Sequence, residues 1–167
     1  MIGGACSSFQ VDTTELGGTK GGVDVERAMK FTSLSVDQVP GDVADLISGD
    51  DITIKTVLAE ATLENLKLAW NSSTPVTTNT TPASKTTGMG IETGLAKEHS
   101  ITFVGPAPSQ GAAYTTRTYT HTKAISYATG QAFKLEKTGE TVFPVTFKLH
   151  PDFTQTAGNE YGTITDQ

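Results

Sequence analysis

The hydrophobic pattern changes period between Asp51 and Trp70, and that change constrains the fold more than any other stretch. Ile52 and Ile54 alternate with Thr53 and Lys55, the period of two that marks a half-buried strand. From Ala59 onward, Ala59, Thr62, Leu63, Leu66, Ala69 and Trp70 share one face at about 100° per residue, with Glu60, Glu64 and Lys67 opposite. The reading is a strand that runs into an amphipathic helix, with Leu63, Leu66 and Trp70 packing on the core. Glu64 and Lys67 are three apart and can pair weakly on the wet face. Leu68 breaks the pattern by projecting from the polar side. A leucine there is either a tolerated surface residue or one that another subunit covers.

No second stretch carries a comparable helical period. Threonine is the commonest residue, and Gly and Pro together number 24 (17 and 7), so strands and turns dominate. The expected class is mainly β, a β-sandwich or barrel with one flanking α-helix and long extended loops. A chain of 167 residues is enough for one domain with one core. The formal net charge of −6 and the presence of only Arg27 and Arg117 argue against a protein that grips nucleic acid. They do not argue against a surface that nucleic acid slides past. Cys6 is the single cysteine, so no internal disulfide forms and a reducing compartment is expected. No run of 18 apolar residues occurs, and the uncharged start Met1–Ser8 is too short for a signal peptide.

Taken in order, residues 1–10 are small and polar and read as a flexible N-terminus, with a short strand over Phe9–Thr13. Residues 23–37 form a long strand candidate. Met29 and Phe31 share one parity while Leu34 and Val36 share the other, which predicts a bulge or kink near Thr32. At about 15 residues this strand exceeds the usual length and is expected to reach past its own core toward a neighbour. Residues 38–50 read as a connection, with Pro40-Gly41 as turn chemistry. Its aliphatic residues Val43, Leu46 and Ile47 must cover something, either the chain's own core or another copy. Residues 71–90 are rich in Asn, Ser, Thr and Pro and read as an exposed loop. Further strands are expected at Ser100–Val104, Thr115–Tyr127, Phe133–Leu135 and Val145–Leu149. Residues 153–167 read as a polar C-terminal tail.

Chemistry is hard to find. Gly17-Gly18-Thr19-Lys20-Gly21-Gly22 lacks the spacing of a phosphate loop and precedes a strand. Gly88–Gly94 is one residue off a dinucleotide fingerprint and follows no strand. His99, His121 and His150 fall on different elements, without metal-ligand spacing. Asp50-Asp51 reads as solvated charge at a strand start. No catalytic residue, metal ligand or cofactor site is expected, and the chain does not read as an enzyme.

Three segments together carry a resemblance. They are the Gly-rich entry Gly21-Gly22-Val23-Asp24-Val25-Glu26, the strand-to-helix stretch Asp51–Leu66 with Leu58-Ala59-Glu60 and Thr62-Leu63-Glu64-Asn65-Leu66, and the closing Thr141–Asp152. In these the chain resembles the tail tube (major tail) proteins of long-tailed bacteriophages, over most of residues 10–152. Residues 71–90 have no counterpart in that pattern. The resemblance implies a subunit that forms rings of six copies, stacked into a hollow tube that conducts DNA during ejection. It implies a virion protein assembled in the host cytoplasm. Its partners would be further copies of itself, the tape measure, tail tip and terminator proteins, and genomic DNA that passes without specific binding. In that setting Asp24, Glu26 and Glu136 are the expected lumen carboxylates. Val43, Leu46, Ile47 and Leu68 are the expected contacts between subunits or rings. The alternative is a monomeric β-sandwich binding or decoration module, or an adhesin.

Overall fold

The computed structural model describes residues 6–35, 37–38, 40–107, 114–127 and 139–167. The strand expected at Phe133–Leu135, together with Glu136 and Val36, lies outside the described residues. The rest is mainly β. Strands β1 (Ser8–Val11), β2 (Thr14–Glu15), β3 (Thr19–Ser35) and β4 (Asp42–Leu58) come first. Helix α1 (Leu63–Ala69) and the hairpin β5 (Thr77–Thr80) and β6 (Ala83–Thr86) follow. The chain then adds β7 (Glu98–Pro106), β8 (Thr116–Ser126), β9 (Phe143–Leu149) and β10 (Thr163–Asp166). The main sheet runs β2-β1-β7-β8-β9-β4-β3, with β10 pairing β8, and every pairing is antiparallel. Among the described residues this sheet is open, with β2 at one end and β3 at the other.

The core follows from alternation. Phe143, Val145, Phe147 and Leu149 of β9 are buried, and so are Ile52, Ile54, Thr56 and Leu58 of β4. Register aligns Ile54 with Phe147 and Thr56 with Val145, so the two apolar rows interlock. Phe9 lies between Phe103 and Phe147, with ring centroids 5.9 and 6.2 Å away. Phe103 also stacks on Tyr119 at 4.5 Å. Each such aromatic contributes about 1.5–3 kcal/mol by leaving water.

Helix α1 is shorter than its sequence pattern. The Ala59 amide donates to the Gly18 carbonyl at 2.9 Å, which keeps the chain extended until Thr62. Thr62 then caps the helix, its hydroxyl oxygen accepting from the Asn65 amide at 3.1 Å. The buried face is also rotated. Asn65 and Ala69 are buried, while Leu66 and Leu68 pack partly buried against the core. Leu63 and Trp70 are only half-buried. The reason is Asn65, whose side-chain amide donates to the Leu16 and Glu60 carbonyls at 3.1 and 2.9 Å. That pair of bonds pins Asn65 inward and carries Leu68 toward the core with it, so Leu68 is not on a polar side.

Other expectations change as well. Residues 8–10, expected to be flexible, belong to β1, and Phe9 is 1% exposed. Residues 71–90 contain the hairpin β5–β6, all of it exposed and tied to α1 by Lys85 and Glu64 at 2.8 Å. The tail 153–167 contains β10, which Arg117 clamps through Asp166 at 2.6 and 2.7 Å. The stretch 38–50 is no loop. From Asp42 it is the first half of β4, because β3 supplies a ladder partner for its backbone. The irregularities near Thr32 lie in β4, which carries one extra residue at Ser48 and another at Val43. Strand β3 does not switch faces there, since both of its faces are exposed and no burial forces a choice. A face switch does occur in β8, where His121 and then Ala124 and Ser126 are buried, beside the register shift at His99/Ile101.

Candidate assembly surface

Beyond the pair Arg27 and Ile52, β3 and β4 leave the body and continue as a two-stranded arm to Ser35 and Asp42. Residues 28–35 of β3 and 42–51 of β4, at about 3.3 Å each, give the arm a reach of about 30 Å. Its two faces can be read from the register. The face continuous with the core carries Arg27, Met29 and Phe31 with their partners Ile52, Asp50 and Ile47. The opposite face carries Asp24, Glu26 and Lys30 near the body, then Leu34 and Leu46 further out, opposite Ala44 and Thr32. Phe31 and Ile47 are 57% and 65% exposed on the first face. Leu34 and Leu46 are 44% and 54% exposed on the second, and Val43 at its bulge is also exposed.

Ion pairs separate the arm from the core. On the core-side face the Arg27 guanidinium binds Asp50, with Nε donating at 2.8 and 3.1 Å. On the other face Lys30 pairs with Asp51 at 2.5 Å, and Lys148 of β9 approaches Asp51 at 3.5 Å. The hydrogen bond from Lys30, helped by the charges of Lys148 and Lys30, outweighs desolvation and holds the Asp51 carboxyl below the usual carboxylate range. The Tyr161 hydroxyl donates to the Asp50 carbonyl at 3.3 Å, so the C-terminal segment also touches the arm's base.

The two ends of the sheet differ. At the β1 end the Glu15 carboxylate accepts the Phe9 amide at 2.9 Å, and the Leu16 amide donates to the Phe9 carbonyl at 3.0 Å. That edge is closed by its own chain. At the other end β3 presents 17 residues with no strand beyond it among the described residues. A long open edge is a template for pairing with another chain.

The expected lumen residues Asp24 and Glu26 lie exposed on the outer face of β3. Glu26 accepts from Lys55 at 2.7 Å, and that hydrogen bond and charge lower its pKa. Asp24 stands opposite Lys55 in register. This face is therefore of mixed charge, not purely acidic. Val43, Leu46 and Ile47 lie together on the arm, while Leu68 is distant from it in the fold, on α1.

The histidines are engaged separately. Buried His99 contacts Asp12 through Nδ1 at 2.6 Å, and Asp12 also accepts the Ser100 amide at 2.9 Å. Desolvation pushes the Asp12 carboxyl up, but these bonds and nearby Lys97 outweigh it and leave it below its ordinary value. The pair borders a cavity of about 600 Å³ between β1, β2 and α1 that Leu16, Leu68 and Lys97 also line. His121 donates from Nδ1 to the Tyr161 carbonyl at 2.7 Å, and burial lowers its pKa. His150 faces Glu98 at 3.6 Å. Among the described residues no three His, Cys, Asp or Glu side chains converge as a metal site.

Met29, Phe31 and Leu34 were legible as apolar but not as surface. The available signal was their opposed parity without a compensating extra residue in β3, which is what a strand wet on both faces shows. The geometry defines a class: an antiparallel β domain with a projecting apolar arm and one open sheet edge. No protein-family model matches the chain, and no curated protein sequence matches it. No helix is long and apolar enough to cross a membrane among the described residues.

Proposed function

We propose that the chain is a structural subunit that assembles with copies of itself into stacked, hexameric rings, forming a tail tube through which phage DNA is ejected. The observation that carries this reading is the arm. A 30 Å ribbon that exposes large aliphatic and aromatic residues on both faces has no covering layer among the described residues. A contiguous apolar surface of that kind marks an interaction site. The open β3 edge supports the same reading, because a neighbouring copy in a ring would satisfy it, and ring closure would join open sheets into a continuous inner barrel.

In this reading Asp24 and Glu26, on the outward polar face, line the bore. Like charge between wall and phosphate keeps DNA from adhering, and sixfold repetition multiplies the effect. The bond from Lys55 to Glu26 leaves more of that repulsion to Asp24. The tape measure, tail tip and terminator proteins would bind the ends of the assembly. The protein would be made in the host cytoplasm and end in the virion.

The test is negative-stain electron microscopy of the purified protein at high concentration, with its elution volume measured beside it. Hollow rings or tubes are the expected result. A compact monomer that stays monomeric when a tail-initiation complex is added would instead support a binding or decoration module.

A further inference from the structure

We infer that buried His121 is a proton-operated latch: while neutral it holds the C-terminal segment on β8, and when it takes up a proton residues 160–166 lift off. The inference does not depend on assembly. It starts from an atom that the fold leaves without a partner. Nδ1 of His121 donates to the Tyr161 carbonyl at 2.7 Å, so in the neutral ring that nitrogen carries the proton. Nε2 is then a bare acceptor, and it is buried with no hydrogen-bond partner among the described residues. A buried polar atom left unpaired costs free energy, and such atoms often mark a functional constraint.

The ring cannot accept a proton in place. His121 is 7% exposed, its ring lies 6.0 Å from that of Phe103, and Ile101 stands opposite it in register. Over it runs the C-terminal segment, so close that a Cβ on Gly162 would strike both the Thr120 carbonyl and the His121 ring. A proton on Nε2 makes a buried cation whose new N–H has no acceptor. Two influences bear on the ring: burial, which lowers its pKa, and the Tyr161 carbonyl, which raises it by less. The charged groups on the surrounding elements are engaged elsewhere. Arg117 pairs with Asp166, Lys123 with Asp152 and Glu98, His99 with Asp12, and Arg27 with Asp50. Glu160 accepts from the Gly158 amide. The layer that yields is the segment, because none of residues 160–166 is buried, whereas Ile101 and Phe103 of β7 are.

Release has two consequences. It breaks the β10 ladder from Thr163–Thr120 to Asp166–Arg117 and bares that length of β8 edge. It also withdraws the Tyr161 hydroxyl from the Asp50 carbonyl, where the arm meets the body. The carboxylates in and beside the segment act in a different range. The Thr154 hydroxyl holds Asp152, its own amide holds Glu160, and Arg117 holds Asp166, each below its ordinary carboxylate value. They stay charged while an exposed histidine, with its ordinary pKa of about 6.5, takes up its proton. With the latched ring neutral throughout, linkage raises the opening equilibrium about tenfold between pH 8 and pH 5.5.

The experiment is amide hydrogen exchange on the full chain at pH 8, 6.5 and 5.5, corrected for the intrinsic rate and read by segment. Wild type and His121→Gln are compared, since glutamine keeps an N–H donor for Tyr161 and takes no proton. In wild type the exchange of residues 160–167 should rise about tenfold from pH 8 to pH 5.5, while β4 and β9 stay protected. In His121→Gln the rise should be less than about twofold. An equal rise in the variant, or no rise in wild type, overturns the latch. So does a rise that β9 shares, because His121 would then report only global unfolding. If the variant does not fold, the wild-type profile decides. A rise confined to 160–167 that sets in near pH 6.5 supports the latch, and one that sets in only below pH 5 assigns the change to carboxylates and overturns it.

Discussion

Strand β4 is one strand with two environments. From Ile52 to Leu58 every second side chain is buried; from Asp42 to Ser48 every side chain is exposed. Both halves pair with β3, both are rich in Ile, Leu and Val, and the backbone hydrogen bonds are of the same kind. The difference is what lies across the sheet. The inner half faces β9 and the Phe9, Phe103 and Phe147 cluster. The outer half faces nothing among the described residues. Alternation of burial is therefore a property of the packed layer and not of the strand.

The largest contrast should come from truncating one aromatic or aliphatic residue on each side of the Arg27–Asp50 boundary. Phe147→Ala removes a fully buried ring and should lower monomer stability by about 3–5 kcal/mol in chemical denaturation. Ile47→Ala should change it by less than about 0.5 kcal/mol in the same measurement. A large loss from Ile47→Ala would mean that the arm folds back on the body in solution, and the comparison would break.

The helix end of the body offers a finer test. Asn65→Ala leaves the Leu16 and Glu60 carbonyls without their donor and should cost about 1–3 kcal/mol. Thr62→Ala removes the cap on α1 and should cost about 1 kcal/mol. Both are read from urea midpoints, and neither should alter assembly at fixed folded concentration. The smallest effect is conditional on pH. His121 is buried with its folded pKa lowered, so the unfolded chain binds the proton more readily. Its contribution is fully present above the unfolded value of about 6.5 and is lost as pH falls toward the folded one. His121→Gln should leave stability near pH 8 little changed and flatten the decline below pH 6.5. An unchanged slope between pH 6.5 and 5 in the variant would assign the decline to groups other than His121; Asp12 and Asp152, whose folded pKa values are lowered, act only at lower pH, below about 4.

Much of the body was legible because its residues alternate strictly, as Val145, Phe147 and Leu149 do. The period change near Ala59 located α1, though not its extent or its buried face. Those depend on Asn65 reaching two carbonyls, one of them 49 residues away in sequence, and no local pattern encodes such a bond. The arm was half-visible. The length of β3 and the aliphatic content of 38–50 pointed to a contact surface. The stretch 38–50 read as a connection because Pro40-Gly41 is turn chemistry, and Asp50-Asp51 read as solvated charge at the start of a strand. Pairing with β3 overrode that preference. Burial of Phe9 and the role of β10 were hidden for the same reason, since each depends on a partner strand distant in sequence.

The bond from Tyr161 to Asp50 has a mechanical consequence. Asp50 lies where the arm meets the body, so it is close to a fulcrum, and the arm is a lever about 30 Å long. A rotation of about 5° there carries the far end through about 3 Å, close to the rise of one strand residue. Residues 153–167, tied to β8 by Arg117 and Asp166 and to the fulcrum by Tyr161, thus brace the hinge on which the arm turns.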